Sequence, residues 1–247
     1  MKKYGVVANI LLAATFTAVS AQAMPVVTDG LVAAYEFSGN TNDISGNSYD
    51  AVNHGAVLTT DRFGSTDSAY RFDGGQWMSV DNFTSLSSYT FSGWVNWDSV
   101  NGWRPFIDDI DGWGENVRFE IYNNKISLSD HFSEPISIEA GEWYQIAVSY
   151  DDTASTINFY FNGQSVGTVN SSMPAFDDYF EMGRGLYGGD EYLYGSMDDI
   201  YIYDRALDGS EIENLYTGAA PVPEPATMFL FGTGLAGLVG WRKKQHT

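Results

Sequence analysis

The 247-residue chain has room for one sizeable domain with a full hydrophobic core. Its 26 Gly, 16 Tyr, 15 Phe and 7 Trp, set among Ser, Thr, Asn and Asp, favour strands and turns over a helical bundle, and the lack of cysteine excludes disulfides and thiolate chemistry. With 32 acidic residues against 12 basic ones and a net charge of -20, the chain repels nucleic acid and anionic membrane, so a cation or a neutral ligand suits it better.

The chain opens as a secretory signal peptide over residues 1–23. Lys2 and Lys3 supply the charged start, Val6 to Val19 a mostly apolar stretch, and Ala21-Gln22-Ala23 the small-residue cleavage site, so the mature chain starts near Met24. All acidic residues lie between Asp29 and Glu224, whereas five of the basic ones sit in the two ends.

From there to residue 218 short apolar runs alternate with turn clusters, as in one antiparallel sandwich domain. "LVAAYEF" (31–37) predicts a first strand, followed by a polar Gly/Asn-rich loop over 38–50. In "YTFSGWVNW" (89–97) Phe91, Gly93 and Val95 alternate with Thr90, Ser92, Trp94 and Asn96, and in "WYQIAVSY" (143–150) Tyr144, Ile146 and Val148 alternate with Gln145, Ala147 and Ser149; each predicts a strand with one face to a core. Trp94, Trp97 and Trp143 are expected in that core. Between these two segments "IDDIDGWGEN" (107–116) concentrates Asp108, Asp109, Asp111 and Glu115 without the spacing of an EF-hand, and reads as a solvated loop.

Further along, "TINFYFNGQSVGTV" (156–169) is a hairpin, with Asn162-Gly163 supplying the positive φ angles of a type I′ turn. "YLYGSMDDIYIYDRAL" (192–207) reads as one or two strands. "SEIENLYTG" (210–218) reads as a short helix capped by Ser210, with Glu213 as capping-box partner.

The order of "GLVAAYEFSGNTNDISGNSYDAV" (30–52), "RFGSTDSAYRFDGGQWMSV" (62–80), "YTFSGWVNW", "GEWYQIAVSYD" (141–151), "INFYFNGQSVG" (157–167) and "GSMDDIYIYDRALDGSEIENLY" (195–216) resembles the laminin-G-like, concanavalin A-like lectin/glucanase domains of secreted bacterial proteins. The resemblance implies an all-β, antiparallel jelly-roll β-sandwich with a short C-terminal helix. Residues 101–132 carry it least. It also implies a structural calcium site at Asp43, Asn47 and Asp198, since hard cations take six to eight oxygens and loop-borne Asp and Asn provide them. The same residues serve equally well in Asx turns and at a strand end. Asp199, facing away from Asp198 on a regular strand, is the weaker ligand.

Trp103, Trp113, Tyr187, Tyr192 and Tyr194 fall in or near turn-rich stretches, where an exposed ring can stack on the apolar side of a sugar. No catalytic residue is assigned: "MDDIYIYD" (197–204) lacks the paired glutamates of retaining glucanases, the three histidines have no metal-ligand spacing, and serine-nucleophile and phosphate-loop signatures are missing.

Residues 219–247 form a tail of three parts: Pro223-Glu224-Pro225, an apolar stretch from Ala226 to Trp241 broken by glycines, and the cations Arg242, Lys243 and Lys244. This order resembles the PEP-CTERM sorting signal, which implies processing by the membrane protease exosortase. The implied course is export, a transient hold in the inner membrane, then release to the cell surface or extracellular matrix. The expected role is a non-enzymatic protein that binds glycan or organises the matrix in exopolysaccharide and biofilm. A cell-surface adhesin or protein-binding module is the alternative, and a polysaccharide hydrolase or lyase comes third, for want of a paired-carboxylate motif.

Overall fold

The computed structural model describes residues 27–109, 116–185 and 191–218. The signal peptide, Asp111, Trp113, Glu115, Tyr187 and the whole sorting tail lie outside the described residues. In chain order the elements are β1 (Leu31–Tyr35), β2 (Val52–His54), β3 (Val57–Thr59), β4 (Ala69–Asp73), β5 (Trp77–Val80), β6 (Tyr89–Trp97), β7 (Trp103–Asp109), β8 (Arg118–Tyr122) and β9 (Lys125–Leu128). They continue with β10 (His131–Phe132), β11 (Trp143–Asp151), β12 (Thr156–Phe161), β13 (Gln164–Asn170), β14 (Phe180–Met182), β15 (Arg184–Gly185), β16 (Glu191–Tyr192), β17 (Tyr194–Tyr203) and α1 (Gly209–Gly218).

The strands form two large antiparallel sheets. One has eight strands, in the order β13-β12-β11-β6-β17-β4-β3 with β1 also on β17; the other has seven, in the order β10-β9-β8-β7-β14-β5-β2. The core lies between them. Phe91 and Val95 from β6 enter it from the first sheet and Phe106, Ile107, Phe119 and Ile121 from the second, with the Phe91 and Phe119 rings 6.1 Å apart. Gly93 leaves room for its neighbours: a Cβ there would lie 2.5 Å from Ile200 Cδ1 on the adjoining strand and 2.6 Å from the Phe106 ring of the facing sheet. The Asn162-Gly163 turn has φ of 50° and 76°, as its sequence predicts, and a second turn at Asn123-Asn124, with φ of 47° and 62°, joins β8 to β9.

Three expectations need correction. The second faces of β6 and β11 are not open, because α1 lays Ile212 and Leu215 over Ala34, Ala147, Tyr160 and Tyr201, forming a second small core. Of the three strand tryptophans only Trp97 is in the core; Trp94 faces α1 and stacks on Tyr216 at 5.5 Å, and Trp143 is half-buried. The helix cap stands two residues before Ser210. Asp208 Oδ1 accepts from the backbone N–H groups of Ser210 (2.8 Å) and Glu211 (2.9 Å), while Glu211 Oε2 accepts from Asp208 N–H (3.0 Å), a reciprocal box in which carboxylates replace the expected hydroxyl. Among the described residues no helix is long and apolar enough to cross a membrane.

Candidate functional site

The proposed calcium ligands lie in two separate settings. The 38–50 loop folds back on β1, where Asp43 Oδ1 accepts from the N–H groups of Ala34 and Ser45, both at 2.9 Å, and Oδ2 accepts from the Ser45 hydroxyl at 2.8 Å and Tyr49 N–H at 3.1 Å. Asn47 donates its amide to the Val32 carbonyl at 2.9 Å, and Gly46 makes the bend with φ of 98°. Asp43 thus accepts four hydrogen bonds, one that ties the loop to β1 and three from within the loop itself.

Asp198 is engaged elsewhere. A bulge in β17 puts Asp199 at φ 48° and turns both aspartates towards Arg62, with Asp198 Oδ2 2.5 Å from Nη1 and Asp199 Oδ2 2.5 Å from Nη2. Alternation along a regular strand would have separated them. The guanidinium lies over the rings of Phe63 (4.3 Å) and Trp94 (4.4 Å). Burial, followed by the neighbouring Asp199 charge, pushes the Asp198 carboxyl well above the usual range, and Arg62 pulls it back. A calcium shell needs several converging oxygens that carry no donor of their own. Asp43 already faces N–H and O–H donors and Asp198 a guanidinium, so this arrangement does not fit one shell built from Asp43, Asn47 and Asp198. Among the described residues no group of three or more His, Cys, Asp or Glu is placed to hold a metal.

The richer surface is the outer face of the seven-stranded sheet. Period-two alternation on β8 sends Phe119 and Ile121 to the core and Arg118, Glu120 and Tyr122 outward. Register then aligns Glu120 with Ser127 on β9, Arg118 with Asp108 on β7, Asp108 with Glu181 on β14, and Glu181 with Ser79 on β5. A polar row so formed crosses five strands. At one end, Trp103 stacks on Tyr122 with ring centroids 4.1 Å apart, and Phe132 lies 6.2 Å from Trp103. At the other end the groups satisfy one another: Tyr179 donates to Glu181 at 2.6 Å, Arg184 pairs with the same carboxylate at 2.5 Å and covers Trp77 at 4.3 Å, and Trp77 stacks on His54, which meets Ser79 at 2.9 Å.

Between these ends lies an acidic centre. The hairpin β15–β16 folds over it, and a methyl group built on Gly185 would lie 3.1 Å from a Glu191 carboxyl oxygen and 3.3 Å from an Asp108 carboxyl oxygen, so those two acids converge on one point. Asp108 and Asp109, expected in a solvated loop, are on β7 and only 3% and 1% exposed. Asp109 accepts from Asp177 N–H at 2.9 Å on the core side, whereas Asp108 belongs to the row. Burial pushes the Glu120 carboxyl up to about 8; Arg118, 3.7 Å away, pulls it down, and Asp108, Glu191 and Asp130 add to the rise. Glu120 Oε1 and Ser127 Oγ are buried without a hydrogen bond.

Of the aromatic residues expected to touch a ligand, Trp103 stands on this face and Tyr192 pairs across the hairpin with Arg184. Tyr194 is 43% exposed at its margin, against Gly74 and under Arg104. Trp113 and Tyr187 lie outside the described residues. Sequence reading missed Arg118, Glu120, Ser127, Glu181 and Glu191, although the alternation in "RFEIY" was a signal for the first two.

The laminin-G-like model of the concanavalin A-like lectin/glucanases superfamily matches residues 71–213, and the PEP-CTERM protein-sorting motif, a mark of exported proteins, matches residues 221–244. No curated protein sequence matches the chain. Among solved structures, the chain is similar to domain 4 of AbnA, an extracellular arabinanase from Geobacillus stearothermophilus, solved with arabinotriose: 19% identity, 75% of this chain and 98% of that one, TM-score 0.60. It is also similar to the binding domain of Paraclostridial Mosquitocidal Protein 1 (18% identity, TM-score 0.61) and to botulinum neurotoxin type C, whose cell entry is dependent upon interaction with two ganglioside molecules (16%, 0.59). Each of these covers 77% of this chain, which spans about half of theirs, 52% and 51%. At such identities the likeness is one of fold. With the family model covering more than half of its length, the chain belongs to the concanavalin A-like lectin/glucanases superfamily.

Proposed function

We propose that the domain is a non-catalytic glycan-binding module which, once exported and processed by exosortase, works in the exopolysaccharide matrix and biofilm of its producer. The observation that carries the reading is the outer face of the seven-stranded sheet, where the Trp103–Tyr122–Phe132 cluster adjoins buried carboxyl and hydroxyl acceptors. Rings stack on the apolar faces of sugars, and carboxylates accept from their hydroxyls. The fold shared with a domain solved with arabinotriose supports the same reading.

The purified mature domain is expected to be retained by the producer's own polysaccharide in a pull-down, and Trp103→Ala to release it at least about tenfold more readily, the loss typical of a central aromatic contact. Equal retention of wild type and Trp103→Ala, or no retention at all, counts against it. If the domain binds cells stripped of glycan as well as intact ones, the adhesin reading replaces it.

A further inference from the structure

We propose that Lys125 makes the aromatic end of this face selective for acidic sugars, so that the preferred ligand is a glycan whose rings carry carboxylates, as hexuronates do, rather than a neutral one. This rests on the glycan-binding reading and names its substrate class. The alternation that sends Ile126 and Leu128 into the core turns Lys125 and Ser127 outward. Lys125 stands directly across from Tyr122 on β8, and Tyr122 across from Trp103 on β7, so one ammonium shares a row with the two stacked rings. Gly102 N–H donates to Asn123 Oδ1 at 3.3 Å, which ties the start of β7 to the turn between Tyr122 and Lys125. Trp103, Tyr122, Lys125 and Phe132 are all half-buried, and each keeps surface for a ligand.

The second observation is how the other cations are paired. Seven basic residues fall among the described residues, and five of them are held by carboxylates: Arg62, Arg71, Arg118, Arg184 and Arg205. The remaining two are Arg104 and Lys125, next to Trp103 along β7 and across the row from it. Arg104 donates to the carbonyls of Trp103 (2.7 Å) and Ser99 (3.0 Å) and lies 5.8 Å from the Tyr194 ring, and Lys125 forms no ion pair among the described residues. In a chain with 32 acidic residues, the two cations without an acid partner thus accompany one aromatic cluster.

The nearby acids leave the ammonium available. Asp130 is held by Arg118 at 2.9 Å, and Glu120, pushed up to about 8 chiefly by burial, carries little charge at neutral pH. Glu134, exposed two residues beyond Phe132, turns its backbone to β13 through a 2.9 Å bond to the Val166 carbonyl and forms no ion pair with Lys125. Neighbouring strands lie about 4.8 Å apart, so a ring stacked on Trp103 and Tyr122 presents a carboxylate at its rim within reach of a lysine one strand further on. An ammonium has three donors, no acceptor and a positive charge, and favours that carboxylate over the hydroxymethyl group of a neutral sugar. The net charge of -20 opposes a polyanion at long range, but beyond about 8 Å it is screened at physiological salt, and the local cation decides the contact.

The test uses the producer's polysaccharide in two forms, native and with its carboxyl groups reduced to alcohols, a change that keeps linkage and ring while removing the charge. The mature domain is expected to bind the native form about tenfold more tightly, the size of one charge-assisted hydrogen bond, and to lose that excess at about 1 M salt. Lys125→Gln should bind both forms as the wild type binds the reduced one, and Lys125→Arg should keep the preference. Misfolding of Lys125→Gln would instead weaken both forms alike, and the salt series on the wild type then decides. Equal binding of the two forms by the wild type, or a preference that survives Lys125→Gln, overturns the proposal and leaves glycan binding standing. A producer polysaccharide that binds but holds no carboxylate does the same. If neither form binds, the underlying reading fails as well.

Discussion

A carboxylate does different work according to what faces it, and Asp43, Asp198 and Glu120 show three cases. Asp43 is a hydrogen-bond hub for its own loop, so Asp43→Ala is expected to remove about 2–3 kcal/mol of stability, the cost of several backbone donors losing their acceptor. A chelator should leave the melting temperature of the wild type unchanged, and thermal melts with and without it check the point; a large fall in chelator would restore a calcium role for the loop. Glu120 works through protonation. Its folded pKa of about 8 lies above the usual value near 4.3 for an unfolded chain, so the folded state holds the extra proton between those limits. The contribution is complete below about pH 4.3 and is lost as pH rises to about 8. Glu36, raised to about 7 chiefly by burial, acts in the same direction. Urea unfolding at pH 5 and at pH 8 is expected to give a smaller difference in Glu120→Gln than in wild type, and identical slopes against pH would contradict the assignment.

At the level of elements, legibility depended on how far the signal travels along the chain. The hairpin at Asn162-Gly163 and the alternation of β6 and β11 are local, and the sequence displays them directly. The position of the helix cap was missed by two residues because Asp208 and Ser210 are both good caps; the reciprocal bonds from Glu211 decide between them. The face bearing Glu120 was illegible as a unit, because its members come from β5, β7, β8, β9, β14 and β16 and meet only through register. The bulge at Asp198 and Asp199 was illegible too, since an extra residue in one strand reverses the expected side of everything after it. It has an energetic consequence. Arg62→Met leaves two buried carboxyls without their cation, and a loss of about 3–5 kcal/mol is expected by chemical denaturation at pH 7. Arg62→Lys should recover only part of it, since one ammonium cannot span both acids as the planar fork does. Full recovery by lysine would show that charge alone matters there.

For the whole molecule, the notable feature is the short spacing in sequence between α1 and the sorting motif. Ile212 and Leu215 anchor α1 to the eight-stranded sheet, and the helix runs to Gly218. Pro223 follows five residues later, a stretch that reaches at most about 18 Å when fully extended. The docked helix therefore sets a clearance: a protease reading Pro223-Glu224-Pro225 has to fit between its own active site and an already folded sandwich, or act before α1 docks. Adding ten Gly/Ser residues after Gly218 is expected to speed tail removal from the folded precursor, seen as faster conversion on a gel, while leaving the melting temperature unaltered. Conversion at the same rate would place processing before folding is complete. The number of residues between α1 and the motif then makes the order of folding and cleavage a property of the substrate.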